Sequence, residues 1–476
     1  MQIIDIPLED RADETGLRSF LAACRDEADA DGHEKIASIS LAVKHIDPLA
    51  VLDSIYEGDA YHYYQETPFR ELAVAGAEAV ASVTLEGPER FRAARRFAEA
   101  LNEHVIAIGD MALPFSGPLF FAGFTFAEYP ERGEGFFPPA LVFVPQWQVA
   151  RSGSRYIAVA NARVQPGMDI DPVAGRIWAA HRKFISFDYG APPEAPESHI
   201  LSEREVGPEG AFSGNVVRAL ERIRAGAYGK IVLARALDLV FDNPCQPLKV
   251  LNRLRADYPR CSSFSLQNSA GSSFIGATPE RLVSVSGGRF FTEAIAGSAA
   301  RGATAADDAR EARALLGSEK DLREHGHVIE SIRRRLEAIG LRPEVALEPG
   351  LLALPNVQHL RTPIEGALEN GRHLLDLVEA LHPTPAVGGS PREAAVPDIA
   401  RWEPFPRGLF AGLNGWFDLR GNGEFSVGIR SALVREREAR LYAGAGIVEG
   451  SVPEREAEET SMKMEALLNC IRGGAG

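Results

Sequence analysis

The strongest constraint on this chain is a series of alternating, hairpin-linked segments in its carboxy-terminal portion. GKIVLARALDLVF (229–241) alternates at period two. SSFIGATPERLVSVSGGRFFTEAIAGS (272–298) reads as strands joined by a Gly287–Gly288 turn, a common hairpin signal. FAGLNGWFDLRGNGEFSVGIRSALVREREARLYAGAGI (410–447) reads as two or three antiparallel strands. Helical patterns lie between and after them: 318–340, 373–389 with a stop at Pro383, and 451–471. Earlier, 91–105 has the spacing of an amphipathic helix, and PLFFAGFTFAE and ALVFVPQWQVAR read as strands. Strands joined by hairpins, with helices interspersed, predict an α+β fold with large antiparallel sheets. They argue against a parallel, doubly wound one.

The 476 residues allow two to three domain-sized units. A proline-rich stretch, GAPPEAPESH (190–199), divides an amino-terminal portion (1–199) from a carboxy-terminal one (200–476). Lys and Arg number 51 against 66 Asp and Glu, a formal net charge of −15. That balance argues against a general nucleic-acid or anionic-membrane binder, so an anionic ligand needs local cations or a metal. The four cysteines are scattered and form no CxxC pair, which fits a reducing compartment. The amino terminus lacks the pattern of a secretory signal, and no apolar run reaches the roughly 18 residues of a membrane span. The expectation is a soluble, cytoplasmic protein with no nucleic-acid or membrane partner.

Chemistry-bearing residues cluster in the second portion. Period two puts Lys230, Val232, Ala234, Ala236 and Asp238 on one strand face. Small groups there leave room above the face, where a desolvated Lys230 could serve as a general base. Alone, Lys230 reads more simply as a strand-end lysine reaching for water. Glu280 follows Pro279, either as an exposed edge carboxylate or as an acid held at a sheet rim. Ser318-x-x-Asp321 is a capping-box-like helix start, with Asp321 and Glu324 on one flank. His325 and His327 point in different directions and make a poor metal pair. Ser451–Glu454 reads as a second capping box, and Glu456, Glu459 and Lys463 share a helix face. Each acidic start has an ordinary explanation in the helix dipole or a surface ion pair. Facing each other, they would make the all-oxygen environment that Mg²⁺ prefers. Gly444-Ala445-Gly446 lacks nucleotide-loop spacing, and the acidic helix after it would repel a pyrophosphate. Arg430 reads as an interior strand arginine in need of an anionic partner.

Together, KIVLAR, GATPERL, EAIAGSAARG, SEKDLREH, VQHL, LHPTPAVGG, FSVGIRSA, YAGAGIVEGS and ERxxEETxxK resemble, in that order, the chorismate-utilising enzymes. The resemblance covers roughly residues 200 to 470. It implies the fold of anthranilate synthase component I, two large antiparallel sheets forming a sandwich core with helices outside. In such a fold residues 1–199 form a variable portion that contributes strands and helices to the core, and 200–476 the catalytic portion. The resemblance is strongest to isochorismate synthases of the menaquinone type, with salicylate synthases and non-catalytic chorismate binders as alternatives. It implies Lys230 as the base that activates water and Glu280 as the acid that protonates the leaving hydroxyl. It implies Glu324 and Glu459 as Mg²⁺ ligands, with Asp321 and Glu456 near the metal through water. Arg430 and the Gly444 backbone match groups that hold a substrate carboxylate. Gly297, Ser298, His359, Thr384 and Lys463 match pocket positions. Lys230 and the AIAGS segment set the chain apart from ammonia-using relatives, so no glutamine amidotransferase partner is expected. Phe410 stands where several relatives carry Tyr.

Overall fold

The structure, a computed structural model, describes residues 1–3, 14–55, 60–130, 137–185, 197–353, 357–369 and 371–473. Most of the proline-rich stretch, up to residue 196, lies outside the described residues. The strands form one hydrogen-bonded network in which two long arms leave the strand Ala140–Ser152, beside a shorter branch through Arg155–Val164 and Lys35–Ala42 to Val105–Gly109. One arm runs from Leu72–Leu85 through His62–Thr67, Ser262–Gln267 and Ser273–Thr278. It continues through Ser431–Arg435 and Glu438–Ile447 to Lys230–Phe241. The other runs from Leu119–Phe124 through Leu413–Asp418, Gly423–Val427 and Arg281–Ser286. It ends with Arg289–Ala300 and Val357–Ala367. Strands from before residue 199 thus pair directly with strands from after it.

The arms pack face to face around a shared core. Tyr63 from the first arm stacks on Phe121 from the second, with ring centroids 4.5 Å apart. Phe121 also meets Phe143 on the strand that joins the arms, at 5.6 Å. The bare backbone of Gly123 lets Leu266 enter from the opposite arm. The two expected sheets are present as arms of a single network, with helices outside. Two parallel pairings were not legible in the sequence: Gln2–Ile3 and Lys35–Ala42 both run parallel to Val105–Gly109. No helix among the described residues is long and apolar enough to cross a membrane. All four cysteines are buried and unbonded to one another.

Local sequence accounts for the elements that frame the site. Gly287 and Gly288 both adopt positive φ, as a tight two-residue hairpin requires, with Ser286 opposite Arg289. The helix Glu319–Ala338 starts at Ser318, whose hydroxyl accepts the Asp321 N–H at 3.3 Å. The last helix, Pro453–Arg472, departs from expectation. Its cap is Val452, which makes no side-chain bond, because Pro453 already fills the first helical position. Ser451, one residue too early to cap, instead accepts the Val448 N–H at 3.2 Å and lies against Glu456. Segment 410–447 yields four strands where two or three were expected. One break falls at 428–430, where Gly428 presses against the Leu409 carbonyl and the Phe274 ring.

Phe121→Ala should cost about 3–5 kcal/mol, because it removes a buried ring from the seam between the arms. Urea unfolding measures this, and a loss below about 1 kcal/mol would mean that the arms do not share a core there.

Candidate active site

The last strand of the first arm and the last strands of the second border a cavity of about 340 Å³. Lys230, Glu280, Gly297, Ser298, Asp321, Glu324, His359, Arg430, Gly444, Glu459 and Lys463 all line it. Thr384 reaches it through Glu280, towards whose carboxyl its hydroxyl points at 3.5 Å. Glu456 does not line it. Every residue implied by the resemblance, Glu456 aside, therefore borders this space or touches a residue that does.

Lys230 opens its strand, directly opposite Ser390. Its Nζ lies 3.4 Å from Glu324 Oε1. Gly446, on the neighbouring strand, makes room for it, since a Cβ there would stand 2.9 Å from Lys230 Cε. The room for the amine is thus cleared by a glycine of the neighbouring strand, which the spacing along the Lys230 strand did not single out.

Glu280 sits where Pro279 interrupts the ladder, between Ser273–Thr278 and Arg281–Ser286. Its N–H is held by the Thr278 hydroxyl at 3.1 Å, and its carbonyl accepts the Val427 N–H at 3.0 Å. The residue keeps some surface, yet its carboxyl is walled in by protein. Burial pushes that carboxyl up to about 7, and the negative charge of Glu293 adds to the shift. Lys230 and the Thr384 hydroxyl pull in the other direction. Glu293 is itself buried against Arg361 and Arg281. The result is a carboxyl that retains its proton near neutrality.

Arg430 occupies the break between Gly423–Val427 and Ser431–Arg435 and not a strand interior, which corrects the expectation. Its φ is +50°, a left-handed conformation that costs a non-glycine residue about 1–3 kcal/mol. Its carbonyl accepts the Ala277 N–H at 3.2 Å, which pins the strained residue in place. Among the described residues its guanidinium forms no ion pair. A cation lining a cavity without an acidic partner is a ready site for an anionic ligand.

Gly444 lies opposite Ala234. The Ala234 N–H goes to Glu403 at 2.8 Å and the Gly444 carbonyl accepts Lys463 Nζ at 2.9 Å. Both groups point away from the shared ladder, so this is the non-hydrogen-bonded type of opposed pair. The Gly444 N–H therefore also points off the ladder, on the side that Lys463 approaches. Lys463 bridges on to Glu459 Oε1 at 2.6 Å. Gly297 bulges from its strand at φ +73°, between Ala296 opposite Leu360 and Ser298 opposite His359. His359 Nδ1 stands 2.8 Å from the Ser298 hydroxyl and 3.3 Å from the Gly297 carbonyl. Burial, then the Arg430 charge, pushes this imidazole down to about 4, so it is neutral at pH 7.

The acidic residues offer oxygen donors of the kind a hard divalent cation takes. Glu324 and Glu459 come from two helices and are 34% and 47% exposed. Asp321 is engaged by the Ser318 hydroxyl, and burial raises the proton affinity of Glu456. No three acidic, His or Cys side chains among the described residues converge closely enough to cage a metal on their own. Mg²⁺ commonly takes one or two carboxylates and fills its shell with water and ligand oxygens, so Glu324 and Glu459 fit that use. His325, buried against Thr362 at 2.7 Å, and exposed His327 take no part.

Two groups at this site were missed in the sequence. Arg407 is almost wholly buried and forms a two-pronged ion pair with Glu403. Tyr442 stacks on Phe410 at 5.1 Å, and both line the cavity. The signal for the pair was an i,i+4 Glu and Arg inside WEPFPRGLF, a segment with no polar face to receive them.

The chain belongs to the family of chorismate-binding enzymes, whose model it matches over residues 19–472. It is 34% identical to the isochorismate synthase MenF of Bacillus subtilis, over 93% of this chain and 94% of that protein. Its fold matches that of MenF, the menaquinone-specific isochorismate synthase of Escherichia coli, with a TM-score of 0.78 and 26% identity. That match covers 96% of this chain and 99% of the other. Anthranilate synthase component I of Streptococcus pneumoniae shares the fold at a TM-score of 0.67 and 20% identity, over 83% and 92% of the two chains.

The Glu280 carboxyl should titrate near pH 7, as an infrared carbonyl band that is absent from Glu280→Gln. Thr384→Val should move the band to higher pH, because the hydroxyl favours the ionised form. A band that disappears near pH 4.5 would show an ordinary, solvated carboxylate.

Proposed function

We propose that this chain is an isochorismate synthase that converts chorismate to isochorismate. Water adds at ring C2, the ring double bonds shift, and the C4 hydroxyl leaves as water, so one water enters and one departs. The observation that carries this reading is a proton-retaining carboxyl, Glu280, bordering the same cavity as the amine of Lys230. Lys230 takes a proton from the attacking water, and Glu280 gives its proton to the departing oxygen. Such groups typically contribute 10²–10⁴-fold each. The charge pattern supports a dianionic substrate. Arg430 forms no ion pair among the described residues, and the Gly444 N–H can meet a carboxylate without side-chain interference. Neutral His359 with Ser298, the bulged Gly297, and Thr384 shape the wall around the ring, while Lys463 steadies Glu459.

Glu324 and Glu459 would hold Mg²⁺, with Asp321 and Glu456 acting through water. When bound, the metal would hold the ring carboxylate and offset its charge. We keep the menaquinone-type role as the reading; identity over nearly the whole chain, front half included, is shared by a MenF protein and by a salicylate-biosynthesis isochorismate synthase, so it supports isochorismate formation and does not choose between those two roles.

Lys230→Ala and Glu280→Gln should each lower turnover by about 10²–10⁴-fold with chorismate and Mg²⁺. Chromatography should find isochorismate alone as the product of the parent enzyme. Salicylate with pyruvate would mean a further elimination step, and binding without turnover would mean a non-catalytic protein. Because the reaction needs Glu280 protonated, kcat/KM should fall as pH rises through about 7. Glu459→Gln should raise the Mg²⁺ concentration for half-maximal activity at least tenfold. An unchanged metal titration would remove Glu459 from the ligand set.

A further inference from the structure

The strand that starts at Lys230 has an uncovered stretch along one edge. Ser390 and Gly389 pair with Lys230 and Ile231, and Glu205 resumes the pairing at Leu237. Between them no strand among the described residues lies alongside, and the gap is closed by side chains and a loop. Arg407 Nη2 donates to the Val232 carbonyl at 2.8 Å, and Glu403 Oε1 accepts the Ala234 N–H at 2.8 Å. The Gly388 carbonyl accepts the Val232 N–H at 3.3 Å. Arg407 and Glu403 are joined by two charge-assisted bonds, Nε to Oε2 at 2.7 Å and Nη2 to Oε1 at 2.6 Å. Their side chains are 1% and 2% exposed.

The other prong of the guanidinium matters as much. Arg407 Nη1 donates to the Val387 carbonyl at 2.9 Å. Val387 belongs to the loop that begins at Thr384, and the Thr384 carbonyl accepts the N–H groups of Val387 and Gly388. The Thr384 hydroxyl in turn reaches Glu280. Arg407 also lies over Phe126 at 4.4 Å and beside Phe410, a wall of the cavity, at 5.8 Å. One rigid, planar cation thus spans two elements, the strand that carries Lys230 and the loop that contacts Glu280.

We infer that the buried Arg407–Glu403 pair is a positioning device that fixes the separation between Lys230 and Glu280 across the cavity. A pair that served stability alone has no need to reach both reacting sides. Replacing a buried ion pair with apolar residues is often neutral for stability, so geometry is the better account of its cost. Arginine suits the task because its rigid fork reaches four acceptor oxygens on three residues, which a lysine ammonium cannot do. A displacement of about 1 Å between reacting groups can cost about 10²-fold in rate.

The inference rests on the roles given above to Lys230 and Glu280, and its test separates the two. Arg407→Lys keeps the charge and loses the fork, and Glu403→Gln keeps the shape and loses the charge. Initial rates with chorismate and Mg²⁺, normalised to the folded fraction by circular dichroism, should show kcat down at least 30-fold. KM for chorismate should stay within threefold, because Arg407, although it borders the cavity, spends its guanidinium on Val232, Val387 and Glu403. The inference is overturned if either folded variant keeps kcat within threefold of the parent. It is also overturned if KM rises in step with the loss of kcat, or if neither variant folds, since the pair would then serve binding or folding alone. Full turnover in Lys230→Ala and Glu280→Gln would instead defeat the acid–base reading beneath it.

Discussion

Charge balance inside one cavity governs the behaviour of this molecule. Lys230 faces Glu324, Lys463 faces Glu459, and Arg430 forms no ion pair among the described residues. Glu280 stands among these charges with its proton held by burial and by Glu293. An acidic chain that takes up a dianion needs such an arrangement, because its overall field repels the ligand. The Arg430 guanidinium, without an ion pair among the described residues, supplies local attraction, and a divalent cation held by Glu324 and Glu459 would, on the proposed reading, supply the rest.

Much of the fold was legible because its signals are local. Period-two runs, the Gly287–Gly288 turn and the Ser318 helix start are each decided by neighbours within a few residues, and each formed as expected. The pairing of 62–67 with 262–267, and of 119–124 with 413–418, was not legible. Nothing in either segment encodes a partner 200 or more residues away, and period two is compatible with many partners. The parallel pairing around Val105–Gly109 was hidden for the same reason. Ser451 misled because a serine followed by Val-Pro-Glu looks like a cap, whereas the proline moves the helix start by one residue.

The site was legible in a different way. Composition and spacing could place Lys230 and Glu280 on strand ends but could not bring them to one cavity; only the ordered family segments implied that. The left-handed turn at Arg430 escaped because arginine gives no warning of positive φ, and the alternation around it reads as continuous strand. Arg407 and Glu403 escaped because an i,i+4 pair ordinarily signals a wet helix face. Their setting among Trp402, Pro404, Phe405, Pro406, Leu409 and Phe410 was the contrary clue.

The interleaving of early and late strands bears on how the polypeptide emerges from a ribosome. Residues 62–67 wait for 262–267, and 119–124 wait for 413–418, so synthesis leaves the first edge open until residue 262 and the second until residue 413. Unsatisfied edges of apolar strands attract other nascent chains. Chaperone occupancy during translation should therefore concentrate on the stretch between the first aromatic strands and the arrival of Leu413–Asp418.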